Sequence, residues 1–477
     1  MARIVVIGAG MGAMAAAARL AVAGHRVTVF ERGGTYGGAV RRFERDGFGF
    51  DTGPGLLHLP AVYRDLFVKT GKEPLEDLVE LTQVDPASRH VFADGTRVDL
   101  PNASRAGTVS ALDAALGAGA GERWGDFLVR AREAWDRTRR PLLEEPQAGD
   151  TSPLAREPYP ALKAGLLRRP TTTLAQVGAR ELRDPRLVAL LDAYAWAYGF
   201  DPAVAPASAA VLPYMEQTFG SWYVSGGIRA LADAVYERCR KRRVEFVLDT
   251  PVTSVVEKDG RAAGVELAGG EIVAADHVVA GAPVPALHAE RVVAREHQDE
   301  GPAYRTDVPG RVTVCLALRG AREAGAAHRT VVHAAGGRPT VTVLRPDDPA
   351  LRPDGDHESA TLSATVRPHP RDDWAEFARS MVTAAEAAVP GLRERLLWQE
   401  VRTPEDTLRE TGAAGVPGPA LAGGRGRYLP AANRSPLPGL YVAGGWSHPG
   451  GGLAHAGMSG ALVAGLIVEG DDFRGSR

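Results

Sequence analysis

Three glycines and one acid near the start of the chain have the residue types and the spacing of a dinucleotide-binding fingerprint. Gly8 and Gly10 follow a short apolar run, Gly12 comes next, and the third fingerprint position is Ala13, which the pattern tolerates. Gly8 permits a tight turn, and Gly10 lets the backbone approach a pyrophosphate. Glu31, about 20 residues further on, can accept hydrogen bonds from a ribose. This spacing therefore predicts a dinucleotide site.

The segments around these residues predict the βαβ unit that must position them. Ile4–Ile7 is an apolar run typical of a buried parallel strand. Met14–Ala23 is rich in alanine, which favours a helix, and Gly24 ends it. Arg26–Phe30 predicts a second strand, which leads directly into Glu31. The N-terminus of the predicted helix presents free N–H groups and a positive dipole end to the pyrophosphate.

The composition of the 477-residue chain is that of a soluble globular protein of two or three domains. Its net charge of −2 lacks the excess of positive charge that is typical of proteins that bind nucleic acid. Cys239 and Cys315 lie far apart and predict neither a metal site nor a redox pair, so a reducing, cytoplasmic location is expected. No apolar run reaches the length of a membrane span, although the composition is compatible with peripheral membrane contact. The oligomeric state is not readable from the sequence.

Further glycine-rich motifs carry a family resemblance. Gly37 and Gly38 let the backbone pass close to a ligand, and the turn Asp51–Gly55 follows. Near the other end of the chain, Leu440–Trp446 predicts a strand entering a turn, and Ser447–Leu453 is rich in glycine. Taken in order, these motifs resemble those of the FAD-dependent phytoene desaturases and the wider amine oxidase superfamily. The resemblance covers nearly the whole chain.

The resemblance implies FAD as the cofactor and indicates which residues hold it. In that family the Gly-Gly segment runs along the pyrophosphate, the turn reaches the isoalloxazine, and the C-terminal loop meets the flavin. Family members usually carry Arg after the Gly-Gly, where this chain has Ala39, and Arg41 or Arg42 is the candidate substitute. Many relatives carry Asp beside the ribityl chain, where this chain has Gly445. The predicted cofactor-binding residues are Gly8, Gly10, Met11, Gly12, Ala13, Glu31, Arg32, Gly37, Gly38, Ala39, Gly53, Pro54, Gly55, Leu56, Val252, Gly281, Gly444, Gly445, Gly452, Leu453 and Ala454.

Three histidines are the predicted catalytic candidates. By the resemblance, His448 and His455 belong to the motif nearest the flavin, and His58 lies in the loop after the Asp51–Gly55 turn. His455 stands where phytoene desaturases usually have an apolar residue or glycine. A neutral imidazole in the first turn of a helix can take a substrate proton or hold a carbonyl. The alternative is that these histidines pack structurally. Glu216 and Tyr223 are further candidates, and no metal site is predicted.

The rest of the chain predicts a substrate domain inserted into the FAD domain. Glu122–Leu143 and Ala161–Tyr198 have helical periodicity, and Val312–Leu318 and Thr340–Leu344 alternate as strands. Trp222 and Tyr223 are predicted either to line a substrate channel or to pack. The predicted fold is α/β, with a Rossmann-like, glutathione-reductase-like FAD-binding domain and an inserted mixed-sheet and helical domain. The first comprises residues 1–75, 219–284 and 421–470, and the second comprises residues 76–218 and 285–420.

The resemblance implies an oxidoreductase of carotenoid biosynthesis that transfers hydride between flavin and an apolar polyene or isoprenoid-like substrate, by desaturation or isomerisation. Relatives also reduce or cyclise polyenes in natural-product pathways, including polycyclic tetramate macrolactams. The departures at Ala39, Gly445 and His455 weigh against a plain phytoene desaturase. A third alternative is a prenyl-lipid escort protein, which shares the fold without a flavin. The intact glycine fingerprint with Glu31 argues against an escort role.

Overall fold

A computed structural model of the protein describes residues 1–164, 167–169, 171–282, 308–334, 337–368 and 373–475, with side chains left out for residues 163, 164 and 167–169. Two short π-helical turns, Arg140–Glu144 and Gly178–Leu182, extend neighbouring helices. The α-helices are α1 Met11–Val22, α2 Ala61–Gly71, α3 Arg105–Leu116, α4 Ala120–Arg139, α5 Leu174–Val177, α6 Pro185–Ala197, α7 Val211–Phe219, α8 Arg229–Lys241, α9 Trp374–Ala385, α10 Leu392–Arg395, α11 Pro404–Thr411 and α12 Leu453–Val468.

The strands form two larger sheets and several small ones. They are β1 Arg3–Ile7, β2 Arg26–Phe30, β3 Arg42–Arg45, β4 Phe48–Asp51, β5 Leu81–Gln83, β6 Ser88–Val91, β7 Arg97–Leu100, β8 Leu162–Ala164, β9 Leu167–Arg169, β10 Trp222–Val224, β11 Glu245–Val247, β12 Val252–Lys258, β13 Arg261–Leu267, β14 Ile272–Ala274, β15 His277–Ala280, β16 Gly310–Arg319, β17 Arg329–Val332, β18 Val341–Leu344, β19 His357–Val366, β20 Leu396–Arg402 and β21 Leu440–Val442.

The first large sheet is parallel and has the strand order β11-β2-β1-β15-β21. Its strands are short and rich in buried valine and isoleucine, because helices or a meander cover both faces. Residues of α1, α2, α8 and α12 form the apolar core on one face. The β12-β13-β14 meander packs on the other face. This sheet carries the fingerprint turn at the carboxyl end of β1.

The second large sheet is mixed, with the order β20-β16-β19-β18-β17-β6-β7. Helix α9 packs on its apolar face through residues such as Met381 and Val382. A separate helical core, centred on Trp124 and Phe127, joins α3 to α7 beside this sheet. Among the described residues, no helix combines the length and apolarity needed to cross a membrane.

Most predicted elements are confirmed, including the βαβ unit and the α/β fold class. A second glycine-rich segment, with Gly117 and Gly119, lies in the connection between α3 and α4. The prediction of continuous helix over residues 161–198 is wrong, because β8 and β9 form a hairpin there before α5 and α6. Pro160 and Pro170 bracket this hairpin, which leaves too few residues between them for a stable helix. The domain division stays a prediction, and its boundary at residues 284 and 285 lies outside the described residues.

Candidate active site

A cavity of about 670 Å³ extends from the carboxyl ends of the parallel strands to the mixed sheet and the helical region. Every predicted cofactor-binding residue except Ala13 lines it, and so do His58 and His455. Ala13 is buried within α1, and its Cβ would lie 2.5 Å from a Cβ placed on Gly281. Ala13 therefore serves close packing between α1 and the end of β15, and its contact with the cofactor stays a prediction.

The N-terminus of α1 presents unpaired backbone donors to the cavity. Gly10 is the N-cap and supplies no side-chain hydrogen bond, and the first helical amide bond runs from Met14 N to Gly10 O. A Cβ on Gly12 would lie 2.7 Å from the Cα of Gly444 and from the carbonyl oxygen of Ala456. Only glycine fits there, because the C-terminal segment crosses α1 at this point. The free N–H groups and the helix dipole suit an anion such as a pyrophosphate.

Glu31 closes the fingerprint turn from the end of β2. Its Oε2 accepts a hydrogen bond from the backbone N–H of Ala9 at 2.8 Å, and its Oε1 accepts one from Gly33 at 2.9 Å. The carboxylate is buried at the cavity wall. The carboxylate oxygens have further lone pairs, which can accept hydrogen bonds from the hydroxyl groups of a ribose. The two bonds that they already accept hold the backbone at Ala9 and Gly33 in place.

Replacing Glu31 with alanine is expected to lower FAD affinity by roughly 10- to 100-fold, because a charge-assisted hydrogen bond is worth about 1.5–3 kcal/mol. The measurement is flavin retention on dilution, read by fluorescence. Glu245→Ala is the matched control, because this exposed acid on the adjoining strand does not line the cavity. Equal retention by both variants would show that Glu31 does not contact the cofactor.

Arg41, and not Arg42, lies at the cavity beside the Gly-Gly segment. Its guanidinium donates to Gly38 O at 3.0 Å and to Glu410 O at 3.2 Å. Arg42 turns away and donates hydrogen bonds to Gly226 O and Ala350 O.

Helix α11 also belongs to the site, although the sequence did not predict it. Its residues Thr407, Glu410 and Thr411 line the cavity. No local motif marks them, because the helix is brought to the site by tertiary contacts, such as the hydrogen bonds from Arg41 to Glu410 O and from Arg32 to Arg409 O.

The C-terminal loop is held by a buried polar network around Asn433. Its side-chain nitrogen lies 3.0 Å from Val442 O, 2.7 Å from His448 O and 3.1 Å from the hydroxyl oxygen of Ser459, so its two N–H groups are shared among three acceptors. The Ser459 hydroxyl in turn accepts a hydrogen bond from the N–H of Gly444 at 3.0 Å. The network fixes the loop ahead of α12, whose N-cap Gly452 also lacks a side-chain cap.

Asn433→Ala is expected to lower the free energy of unfolding by about 2–4 kcal/mol, because two carbonyls and a hydroxyl lose a buried partner. Chemical denaturation of the FAD-loaded protein measures this change. Asn102→Ala is the comparison, since Asn102 bonds loop carbonyls in a less buried setting. An unchanged transition midpoint for Asn433→Ala would contradict the role given to this network.

The three predicted histidines occupy different positions. His455 lies in the first turn of α12, buried and facing the cavity, with no hydrogen-bond partner in the described part of the chain. Burial, with a smaller effect of His448, lowers the pKa of His455 to about 4, so its imidazole is neutral. His58 also lines the cavity. His448 does not: it is fully buried, and its Nε2 lies 2.9 Å from Glu145 O. The catalytic role of His448 stays a prediction, and its position away from the cavity does not support it.

The wall remote from the fingerprint is largely apolar and aromatic. It contains Leu59, Tyr194, Trp196, Met215, Val331 and Leu344. Trp222 and Tyr223 do not line the cavity. Tyr223 instead donates a hydrogen bond to Asp348 Oδ2 at 2.7 Å, so the packing interpretation holds for it. An elongated apolar molecule fits this wall, and the polar fingerprint end fits a dinucleotide.

Polar side chains interrupt the apolar wall, and we call four of them, His58, Tyr198, Glu216 and Arg329, the polar cluster. Glu216 and Arg329 form an ion pair between α7 and β17. His58 Nε2 lies 3.7 Å from Glu216 Oε2. The sequence did not predict Arg329, because its ion pair joins residues 113 positions apart, and it did not single out Tyr198 either.

Comparison with known proteins decides the family. A family model described as flavin containing amine oxidoreductase matches residues 14–468. The chain belongs to this family. It is 29% identical to a 4,4'-diapolycopene oxygenase of Methylomonas sp, over 98% of each protein. It is 33% identical to a zeta-carotene-forming phytoene desaturase of Myxococcus xanthus, over 59% of this chain and 54% of the relative.

Solved structures show the same fold at low sequence identity. An oxidoreductase from Methanosarcina mazei matches with a TM-score of 0.67 and 17% identity, over 97% of this chain and 99% of that one. Putrescine oxidase bound to putrescine matches with a TM-score of 0.67 and 16% identity, over 98% and 99%. The family member described here is an FAD-dependent oxidoreductase. Its residues fit the cofactor, because two uncapped helix N-termini and a carboxylate line one continuous cavity.

Proposed function

We propose that the protein dehydrogenates a long, apolar, isoprenoid-like polyene. The observation that carries this proposal is the single cavity that joins the dinucleotide fingerprint to an apolar, aromatic wall. The carotenoid names of the oxygenase and desaturase relatives support the same substrate class. The proposed cofactor contacts are the predicted residues that line the cavity, without Ala13 and with Arg41 added.

Each part of the site has a separate task in this proposal. FAD, when bound, supplies the two-electron acceptor for the hydride that leaves one substrate carbon. The N–H groups at the N-terminus of α1 and the carboxylate of Glu31 hold the cofactor's polar half. Leu59, Met215 and their apolar neighbours position the chain of the substrate and exclude water.

His455 is the proposed acceptor of the proton that leaves the neighbouring carbon, so that a new double bond forms between the two carbons. Its imidazole is neutral because burial lowers its pKa to about 4. The N-terminus of α12 adds a positive dipole end, which also favours the neutral form. His58 is the second candidate for this proton, because it faces the same cavity beside Glu216.

The test is anaerobic mixing of purified, FAD-loaded protein with acyclic polyene hydrocarbons. Flavin absorbance is expected to bleach as the polyene gains a double bond, and denaturation is expected to release FAD. Putrescine is the control substrate, because the apolar wall offers no unpaired carboxylate for an ammonium group, and it is expected to leave the flavin oxidised. Bleaching by putrescine and not by any polyene would overturn the proposal.

A further inference from the structure

The polar cluster places an ion pair in a cavity whose walls are otherwise largely apolar, which is unfavourable in free energy. Glu216 is buried on α7, and its partner Arg329 is largely buried on β17. Arg329 also donates from Nε to Ala87 O at 3.0 Å. Placing charges away from water costs several kcal/mol per ion unless they are paired and fully hydrogen-bonded. An apolar molecule seated against this pair would remove the remaining solvent and return no hydrogen bond.

The cluster is electrically neutral as a whole. Burial would raise the pKa of Glu216, but the charge of Arg329 and the hydrogen bonds that the carboxylate accepts hold that pKa below its ordinary value. Burial lowers the pKa of His58 despite the opposing charge of Glu216, so the imidazole is neutral. One negative and one positive charge remain, and they cancel. A bound carboxylate would face Glu216, and a bound ammonium group would face Arg329 and also Arg311, a second guanidinium on the cavity wall that bonds Ala197 O. A neutral polar group is the one that none of these charges repels.

Within the polar cluster, the hydroxyl of Tyr198 is a hydrogen-bond donor that has no acceptor in the described part of the chain. Tyr198 follows the end of α6 and lines the cavity, and its hydroxyl oxygen is buried. An unpaired buried hydroxyl costs about 1–3 kcal/mol. Tyr194, on the same helix and the same cavity, differs: its hydroxyl accepts a hydrogen bond from Gln217 at 3.1 Å. The orphaned donor therefore points to a ligand atom that the protein does not itself supply.

We infer that the substrate carries a neutral oxygen function, a hydroxyl or carbonyl group, which binds at the polar cluster and accepts a hydrogen bond from Tyr198. This inference rests on the proposed function, since it names the chemical class of the polyene that occupies the same cavity. A neutral oxygen satisfies the Tyr198 hydroxyl without adding charge. It also gives the Arg329 guanidinium a further acceptor. The polar cluster then fixes which end of an elongated molecule enters, and so which carbons meet the flavin.

The test compares three probes of equal length and conjugation with the FAD-loaded protein: an acyclic isoprenoid polyene hydrocarbon, its terminal primary alcohol and its terminal aldehyde. Binding is measured from the shift of polyene absorbance. The alcohol and the aldehyde are each expected to bind about tenfold or more tightly than the hydrocarbon. In Tyr198→Phe this preference is expected to fall by about fivefold or more, because only the hydroxyl is removed.

Tyr194→Phe is the matched control, and it is expected to keep the preference of the unaltered protein. Equal binding of all three probes, or a preference that survives Tyr198→Phe, would overturn the inference. If the hydrocarbon binds equally well and bleaches the flavin, the proposed dehydrogenation stands and this inference fails. If the oxygenated probes bind preferentially through Tyr198 but no polyene bleaches the flavin, this inference stands and the proposed chemistry fails. If no probe binds, both fail.

Discussion

Arg329→Met is expected to lower the free energy of unfolding by about 3–5 kcal/mol, because it leaves the buried carboxylate of Glu216 without its partner. The guanidinium is the main group that keeps this carboxyl ionised against the effect of burial. Methionine fills a similar volume without a charge. The change in the free energy of unfolding therefore measures the loss of the ion pair, and not the loss of packing that an empty cavity would cause. Chemical denaturation of the FAD-loaded protein measures the change.

The double variant Arg329→Met with Glu216→Leu is expected to recover most of that loss, since replacing a whole buried pair by apolar residues is often neutral. Arg367→Met is the exposed control: its ion pair with Asp201 lies at the surface, and a change below about 1 kcal/mol is expected. If the double variant were as unstable as Arg329→Met alone, the cost would lie in packing around β17 and not in an unpaired charge.

His455→Ala is expected to reduce polyene turnover by about 10²–10⁴-fold while FAD content stays unchanged, because it removes the proposed proton acceptor. The lowered pKa adds a second check. A base with a pKa of about 4 stays neutral through mildly acidic pH, so the low-pH fall of kcat/KM should lie near pH 4 and not near pH 6.5. Both are measured with the FAD-loaded protein and the polyene that it oxidises.

His448→Ala is the matched control for this prediction, because His448 lies near the same helix but off the cavity. It is expected to affect stability and to leave turnover per bound flavin nearly unchanged. His58→Ala distinguishes the second candidate. If turnover survives in His455→Ala but falls in His58→Ala, the proton acceptor is His58 of the polar cluster and not His455. If His455→Ala loses FAD, His455 has a structural role in the flavin site.

The parts of the site that the sequence predicted are those coded by short, local patterns. Gly8, Gly10 and Glu31 lie within one βαβ unit, whose period and turn residues are readable without tertiary information. The same holds for Gly452 and Leu453, where a glycine-rich turn opens a helix. These residues line the cavity, because local backbone geometry places them, and their contacts with the cofactor stay predictions.

The misses arise where function depends on residues brought together from distant segments. Glu216 was a candidate from the sequence, but its partner Arg329 lies 113 positions away and was not predicted. His448 looked equivalent to His455, because both flank the same glycine-rich loop. The fold separates them: the turn of Ser447–Gly450 directs His448 toward Glu145, while α12 directs His455 toward the cavity.

The order of strands in the parallel sheet also constrains when the protein can acquire its cofactor during synthesis. β1 pairs with β15, β15 pairs with β21, and α1 packs on α12, whose Gly460 would clash with Gly12 O if it carried a Cβ. A ribosome-bound chain that ends before α12 therefore has its first helix N-terminus but not the second. Such contacts between distant segments form slowly and late. The FAD site is therefore complete only once the C-terminal helix has been synthesised and has packed on α1.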